Sequence, residues 1–406
     1  MGTALENIQI KEASGWLDEL RRIGRKAFAA KGLPTAKTES WKYTRPRNLQ
    51  VDDFVSSLRY GKVSSSAPEL PFSADEIVIA NGSLISHPDS LPSGVTLSPL
   101  DEAQEYLSRL SDLENYPFAA LNTAYLQEGL MINIAPGTIL NRPLALRYHT
   151  EPGENNLYAN FRTIILCGSG SKAEVVETFT YAGEVKSRYF NNLVTQVFLQ
   201  AGAVLNHYKF QDEAFKAAHI ALTAADIAEE ASYNSFCLQK GADLARNETK
   251  IALRGSQARA EVNAAYMISG WATVDTTTDI SHLVPETYSC QLVKGVVGGD
   301  AKGVFQGKIH IAPNAVKTEG KQLHKALLLS DRAEIDVKPE LEIFADDVKC
   351  SHGAASGELD EEQLFYMQSR GIGRDEAKQI LIDAYLDDVI ATVKNESLRN
   401  WYKSLI

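Results

Sequence analysis

Ser256-Gln257-Ala258-Arg259-Ala260-Glu261-Val262 reads as a small-residue turn that passes through an acidic residue into a β-branched one. The same order recurs at Ser171-Lys172-Ala173-Glu174-Val175 and at Ser330-Asp331-Arg332-Ala333-Glu334-Ile335. Looser versions stand at Ala201-Gly202-Ala203-Val204-Leu205 and Lys240-Gly241-Ala242-Asp243-Leu244. Around them lie short β-rich runs such as Thr163-Ile164-Ile165-Leu166, Leu193-Val194-Thr195-Gln196-Val197-Phe198-Leu199 and Thr249-Lys250-Ile251-Ala252-Leu253. Runs of this kind, without helical intervals from about 130 to 352, exclude a sheet built of βαβ units. A sandwich or a β-helix remains. Recurring turns favour stacked rungs, in which each turn buries its inward side chains against its neighbours. The irregular period leaves both architectures open on the residues alone.

The flanks read differently. Residues 13–31 carry Trp16, Leu20, Ile23 and Ala27 at three- and four-residue steps, and Gly32-Leu33-Pro34 ends that amphipathic helix. Gly61 to Pro68 is a serine-rich link, Glu76 to Ala80 a short strand before the Asn81-Gly82 turn, and 100–127 a leucine-spaced helical stretch. The expected division is a mainly helical N-terminal domain over 1–125, a β core over 126–352 and a helical C-terminal domain over 353–406. In the last, Asp360 is a helix N-cap with Gln363 placed to answer it, and Gly371 fits a C′ position. A second helix runs from about Asp375 to Val393. Gln379, Asp383 and Asp387 form its polar stripe, with Ala377, Ile380, Leu381, Ala384 and Tyr385 on one flank and Ile382, Leu386 and Ile390 on the other. Two apolar flanks need two surfaces. Either both meet the chain's own domain, or one receives a partner.

At 406 residues the chain has room for two or three domains. Its 44% hydrophobic and 23% charged residues are ordinary for a soluble protein. A net charge of −11 argues against nucleic acid as the main partner. No apolar run approaches the ~18 residues of a membrane span, and Met1 to Asn7 shows neither basic segment nor apolar core of a secretory signal. Cysteines at 167, 237, 290 and 350 lack paired spacing, which reads as free thiols in a reducing, cytoplasmic compartment.

Enzyme signatures fail on their context. Gly168-Ser169-Gly170-Ser171-Lys172-Ala173 matches a dinucleotide-binding pattern, but a strand-like run follows where a helix is required, so it reads as a rung turn. Gly303-Val304-Phe305-Gln306-Gly307-Lys308-Ile309 is one residue short of a P-loop and lacks its Ser/Thr, so ATP hydrolysis by this chain is not expected. Cys167, Cys237 and Cys290 read as core residues of the rungs. His87 falls in a loop and His149, His207 and His219 near turns, whereas His282, His310 and His324 lie on β segments that could face a partner.

That leaves Asp346-Asp347-Val348-Lys349-Cys350-Ser351-His352-Gly353-Ala354-Ala355, where a thiol and an imidazole stand two residues apart. In a strand, i and i+2 share a face. A thiolate is a soft metal ligand and an imidazole a borderline one. Two donors fall short of the roughly four that a cluster takes, yet they suffice for half of a site completed across an interface. The alternative is a packed cysteine and a hydrogen-bonded histidine closing the last strand.

The run from Phe344 through Cys350-Ser351-His352-Gly353-Ala354 to Asp360-Glu361-Glu362-Gln363-Leu364-Phe365-Tyr366-Met367-Gln368-Ser369-Arg370-Gly371-Ile372 resembles the SufB/SufD family of iron–sulfur cluster assembly scaffolds. It resembles the SufD branch in particular, because Gly353 stands where the SufB branch is expected to carry an acid. Thr38-Glu39-Ser40-Trp41-Lys42-Tyr43-Thr44 is similar to the N-terminal signature of SufD-type proteins. The resemblance implies a mainly β fold, a right-handed parallel β-helix core flanked by helical domains. It implies a non-enzymatic scaffold that pairs with a SufB-like subunit through the β-helix ends. It also implies docking of a SufC-like ABC-type ATPase on the C-terminal helices, for which the Ile382, Leu386 and Ile390 flank is the expected surface. The nascent iron–sulfur cluster is then expected near the junction, with His352 first and Cys350 second as functional residues and as metal ligands shared with the partner. A homodimer of the isolated chain and a reduced flavin in the complex are raised without residues to assign to them. Two readings from other classes stand beside it. A β-helix carbohydrate-active enzyme needs paired carboxylates along an exposed groove, whereas the acids here mostly occupy rung turns. A purely structural β-solenoid needs no site at all.

Overall fold

From Gly129 onward the chain lays one strand in each of two parallel sheets per turn, and every strand before the last two pairs with the strand two ahead of it. The computed structural model describes residues 10, 12, 15–35, 37–44, 46, 49, 54–56, 67–110 and 112–406; of the serine-rich link read at 61–68, residues 61–66 lie outside them. Leu157–Cys167 pairs with Tyr189–Leu199 from Leu157↔Tyr189 to Cys167↔Leu199 without a slip. All later rungs follow in the same parallel sense, ending with Lys302–Ile311 on Glu334–Ile343 and Thr318–Leu328 on Val348–Glu358. A sandwich is thereby replaced by a parallel β-solenoid. The turns are the reason. Gly170 and Gly202 take φ of +66° and +68° at successive corners, a conformation that costs glycine little and other residues more. The strand Lys172–Tyr181 follows directly, so the dinucleotide-like pattern at 168–173 is a rung turn.

Helices cover the outside. Among the described residues, three α-helices lie before the solenoid: α1 (Trp16–Lys31), α2 (Gln104–Leu107) and α3 (Pro117–Ala124). Phe28, Phe118 and Leu121 from this unit pack against Tyr158, Phe190 and Ile220 of the first sheet. The stretch read as one helix over 100–127 is broken into short pieces, because Pro117 occupies the first turn of α3 and cannot continue an earlier helix. The described part of the N-terminal segment also contributes strands. Asp75–Ala80 extends the second sheet and Val95–Pro99 the first, the latter antiparallel to Gly129–Ile134, and they close that end of the stack.

Three helices follow it: α4 (Glu361–Ser369), α5 (Arg374–Ile390) and α6 (Glu396–Ser404). The Asp360 carboxylate accepts the backbone N–H groups of Glu362 and Gln363 at 2.9 and 3.3 Å, the expected N-cap. The flank expected to dock an ATPase is instead internal. Ile382, Leu386 and Ile390 are 7, 0 and 0% exposed and pack with Phe236, Ala265 and Val296 of the second sheet. A parallel sheet has two apolar faces, and α5 and α6 cover the outer one.

Candidate functional site

The far end of the stack is left open by the described residues. Among the described residues no strand follows Glu334–Ile343 in the first sheet or Val348–Glu358 in the second. The last strand also runs on past His352 to Glu358. The backbone N–H groups of Glu334 and Phe344 donate to Ala301 and Ile311, both at 3.0 Å, so even-numbered residues bond back to the stack. Odd-numbered ones turn their peptide groups to the free edge. Pro339 is odd, and its missing donor therefore costs the ladder nothing. Ile335, Val337 and Leu341 face the lumen and are half-buried, because no further rung lies over them.

Cys350 and His352 stand across that mouth, in register with Gly320 and Gln322 of the rung below. Cys350 is half-buried beside Ile309, Ile311 and Ala315, which places it and the residue two further on along the inward face. His352 is exposed. Burial pushes the Cys350 thiol up, and the backbone N–H of Gly320 opposes that in part. Among the described residues, no three His, Cys, Asp or Glu side chains converge as a metal centre would require. The mouth thus offers two donors at an unpaired edge.

The remaining cysteines and histidines divide by face. Cys167 is wholly buried in the core, and Cys237 lines the lumen among Lys209, Thr223 and Tyr233. Cys290 was expected in the core but turns outward, since its neighbour Gln291 takes the inward place and accepts a hydrogen bond from Thr278 across the lumen. His207 and His219 were expected near turns, yet both lie within strands and are wholly buried. His282 and His324 are also wholly buried, so neither faces a partner. His282 sits between the hydroxyls of Thr287 and Ser289 at 2.8 Å each. His324 meets the Tyr266 hydroxyl at 2.9 Å and stacks on Phe305. Only His310 of that group lies partly open, 3.3 Å from Glu342 and beside Phe344.

Two arrangements escaped the residue-level reading. Inside the lumen, Lys209 Nζ lies 2.8 Å from Glu177, which Thr195 also contacts at 3.1 Å. Burial opposes the Glu177 charge, but Lys209 and His207 together hold it well below the usual carboxylate range. The two residues are direct register partners, so a correct rung alignment would have revealed the pair. Outside, α4 and α5 expose Phe365, Tyr366 and Ile380 next to Glu361, Glu362 and Glu376. These three side chains, not the Ile382 flank, are the exposed large apolar residues of the tail.

Comparison with known proteins accounts for this geometry. Residues 149–385 match the family model described as the SUF system FeS cluster assembly SufBD core domain, and residues 4–146 match that of the SufBD protein N-terminal region. The chain is therefore of the class of iron–sulfur cluster assembly proteins. The chain belongs to the SufBD family, on its SufD side. It is 32% identical to the iron–sulfur cluster assembly protein SufD of Escherichia coli over 91% of this chain and 87% of that protein. It is 29% identical to a SufBD family protein of Synechocystis over 90% of this chain and 85% of the relative. It is also 29% identical to the chloroplastic protein ABCI7 of Arabidopsis thaliana over 95% and 84%. No helix among the described residues is long and apolar enough to cross a membrane.

Proposed function

We propose that this chain is a non-catalytic scaffold subunit of a SufBCD-type complex. It pairs through its open end with a SufB-like subunit, and the nascent cluster is the cargo held at that junction. The observation that supports this most is the unfinished rung, two adjacent free edges with Cys350 and His352 at the mouth between them. A free edge is a row of unused backbone donors and acceptors, and a second β-helix end satisfies it by strand addition. The same contact covers Ile335, Val337 and Leu341. Two donors from this chain and the partner's own then approach the roughly four that a cluster uses. The Cys350 thiol, pushed up by burial, stays protonated until iron or a partner's cation draws its proton off. A SufC-like ATPase docks on the exposed Phe365, Tyr366 and Ile380.

Coexpression with SufB-like and SufC-like partners tests the reading. Iron and acid-labile sulfide per complex should fall severalfold in His352→Ala while the variant still folds and pairs. Normal content in that variant removes the role of the mouth.

A further inference from the structure

Gln322 occupies the rung below His352, directly in register with it. It is 3% exposed, yet among the described residues neither its amide oxygen nor its amide nitrogen has a hydrogen-bond partner. Buried amides in native proteins are nearly always paired, so this one needs a reason. Its side chain reaches right across the lumen. A Cβ built on Gly307, in the opposite sheet, would fall 1.5 Å from Gln322 Nε2, so only glycine at 307 leaves the amide its place. Gln322 therefore floors the mouth, and the last rung above it contributes His352 from one sheet and Pro339, partner of Gly307, from the other.

Among the described residues the neighbours point the same way. Gln291, one rung deeper in the same column, uses its oxygen for Thr278 and leaves its nitrogen unpartnered. His324, two residues along from Gln322, uses Nε2 for Tyr266 and leaves Nδ1 unpartnered. Unused donors and acceptors thus gather in the rungs beneath His352 and Ala354, further along the strand than Cys350. Val262, one rung further down the same column, shows that an aliphatic residue fits this face of the lumen.

We infer that Gln322 is the inner hydrogen-bonding residue of the Cys350–His352 mouth, and that it holds hydrosulfide, the small sulfur anion, beside those two groups. The inference rests on the assembly reading above. A primary amide brings two N–H donors for an anion and a carbonyl that accepts the S–H proton. Its oxygen is a hard, neutral donor and a poor match for the soft ligand set of thiolate and imidazole. The amide therefore serves the sulfur, and the metal falls to Cys350 and His352. No bond is made or broken by Gln322, which is a positioning residue.

The full-length chain, coexpressed with its partners, is compared as wild type, Gln322→Leu, Gln322→Met and His352→Ala. Cluster content is read against added sodium hydrosulfide. Gln322→Leu should melt at or above the wild-type temperature, because it removes two unpartnered buried atoms, and it should pair normally. Its half-saturating sulfide should rise at least fivefold while the plateau at high sulfide is kept; His352→Ala should instead lower the plateau. An unchanged sulfide dependence in folded Gln322→Leu overturns the inference, even where His352→Ala behaves as expected. Loss of pairing overturns it too, since the amide then serves the partner. If the Leu variant fails to fold, the Met variant is read by the same criteria, and failure of both makes Gln322 structural. A shifted sulfide dependence with a silent His352→Ala keeps the sulfide site and removes the role given to His352.

Discussion

The ring of Trp41 lies 4.0 Å over the guanidinium of Arg246, a cation wholly buried under the N-terminal unit. Arg246 is held from its other sides by Glu248 at 2.7 Å and by Asp275. Thr44 donates to the same Asp275, the Ser40 carbonyl accepts from Gln306 at 3.1 Å, and Glu39 meets Lys338 at 2.7 Å. Residues 39–44 therefore strap four successive strands of the first sheet. The Trp-Lys-Tyr run is conspicuous in the sequence because it ties the N-terminal unit to the rungs.

Removing that ring should loosen the strap before it unfolds the stack. Trp41→Ala leaves a cavity against Phe118 and bares the Arg246 charge, at a cost of about 3–5 kcal/mol. Denaturant titration should split into two transitions, the first accompanied by proteolytic cleavage within the first 125 residues. A single unshifted transition would show that the strap carries no stability.

Acid should weaken the solenoid in a defined window. Burial pushes His282 and His324 down to about 4 from an ordinary 6.5. The folded state keeps both neutral, so the unfolded state takes up protons first as pH falls below about 6.5. Stability is full above that value and declines toward pH 4, by about 3 kcal/mol per histidine. Glu177, held low in the folded state, adds a loss of the same sign at lower pH. Urea midpoints at pH 7.5 and 4.5 should differ strongly in wild type and much less in a His282→Gln, His324→Gln double variant.

The two faces of the tail should answer differently to substitution. Ile382→Asp with Leu386→Asp puts carboxylates under α5 against the second sheet, and unpaired buried charge costs several kcal/mol. That variant should lose its folded tail by circular dichroism and melting. Phe365→Ser with Tyr366→Ser should leave the melting temperature within a few degrees and abolish capture of the ATPase. ATPase binding that survives in the folded surface variant would place docking elsewhere.

Pairing at the mouth should depend on the half-buried lumen residues. Val337→Asp with Leu341→Asp leaves the charges in contact with water in the free chain, at a cost of about 1 kcal/mol, but buries them when a partner rung covers the edge. Size-exclusion chromatography should show a stable free chain that no longer pairs with the SufB-like subunit. Undiminished pairing would argue that contact is made away from these edges.

Much of this was readable from residues, and the failures share one cause. The turn at 168–173, the Asp360 cap and the common face of Cys350 and His352 are local matters of φ, hydrogen bonding and strand parity. What failed was deciding which face is covered. Tyr189–Leu199 is buried along its whole length, because the lumen takes one face and helices take the other. Alternation of polar and apolar residues disappears under those conditions. Cys290, His282 and His324 were misplaced for that reason, and so was the Ile382 flank of α5. Gln322 was invisible, since a glutamine in a strand carries no sign that its amide is unpartnered.

The uncovered last rung also sets a gradient of local stability along the molecule. In a stack held by nearest neighbours, each rung is clamped from two sides except the terminal one. Opening therefore begins at Glu334–Ile343 and Val348–Glu358, at a free energy well below that of global unfolding. Amide protons of these two strands should exchange fastest in the free chain and slow sharply when a partner is seated. Under the proposed function, Cys350 and His352 ride on that terminal rung, so their spacing would become fixed on capture, and association and completion of the cargo site would be one event.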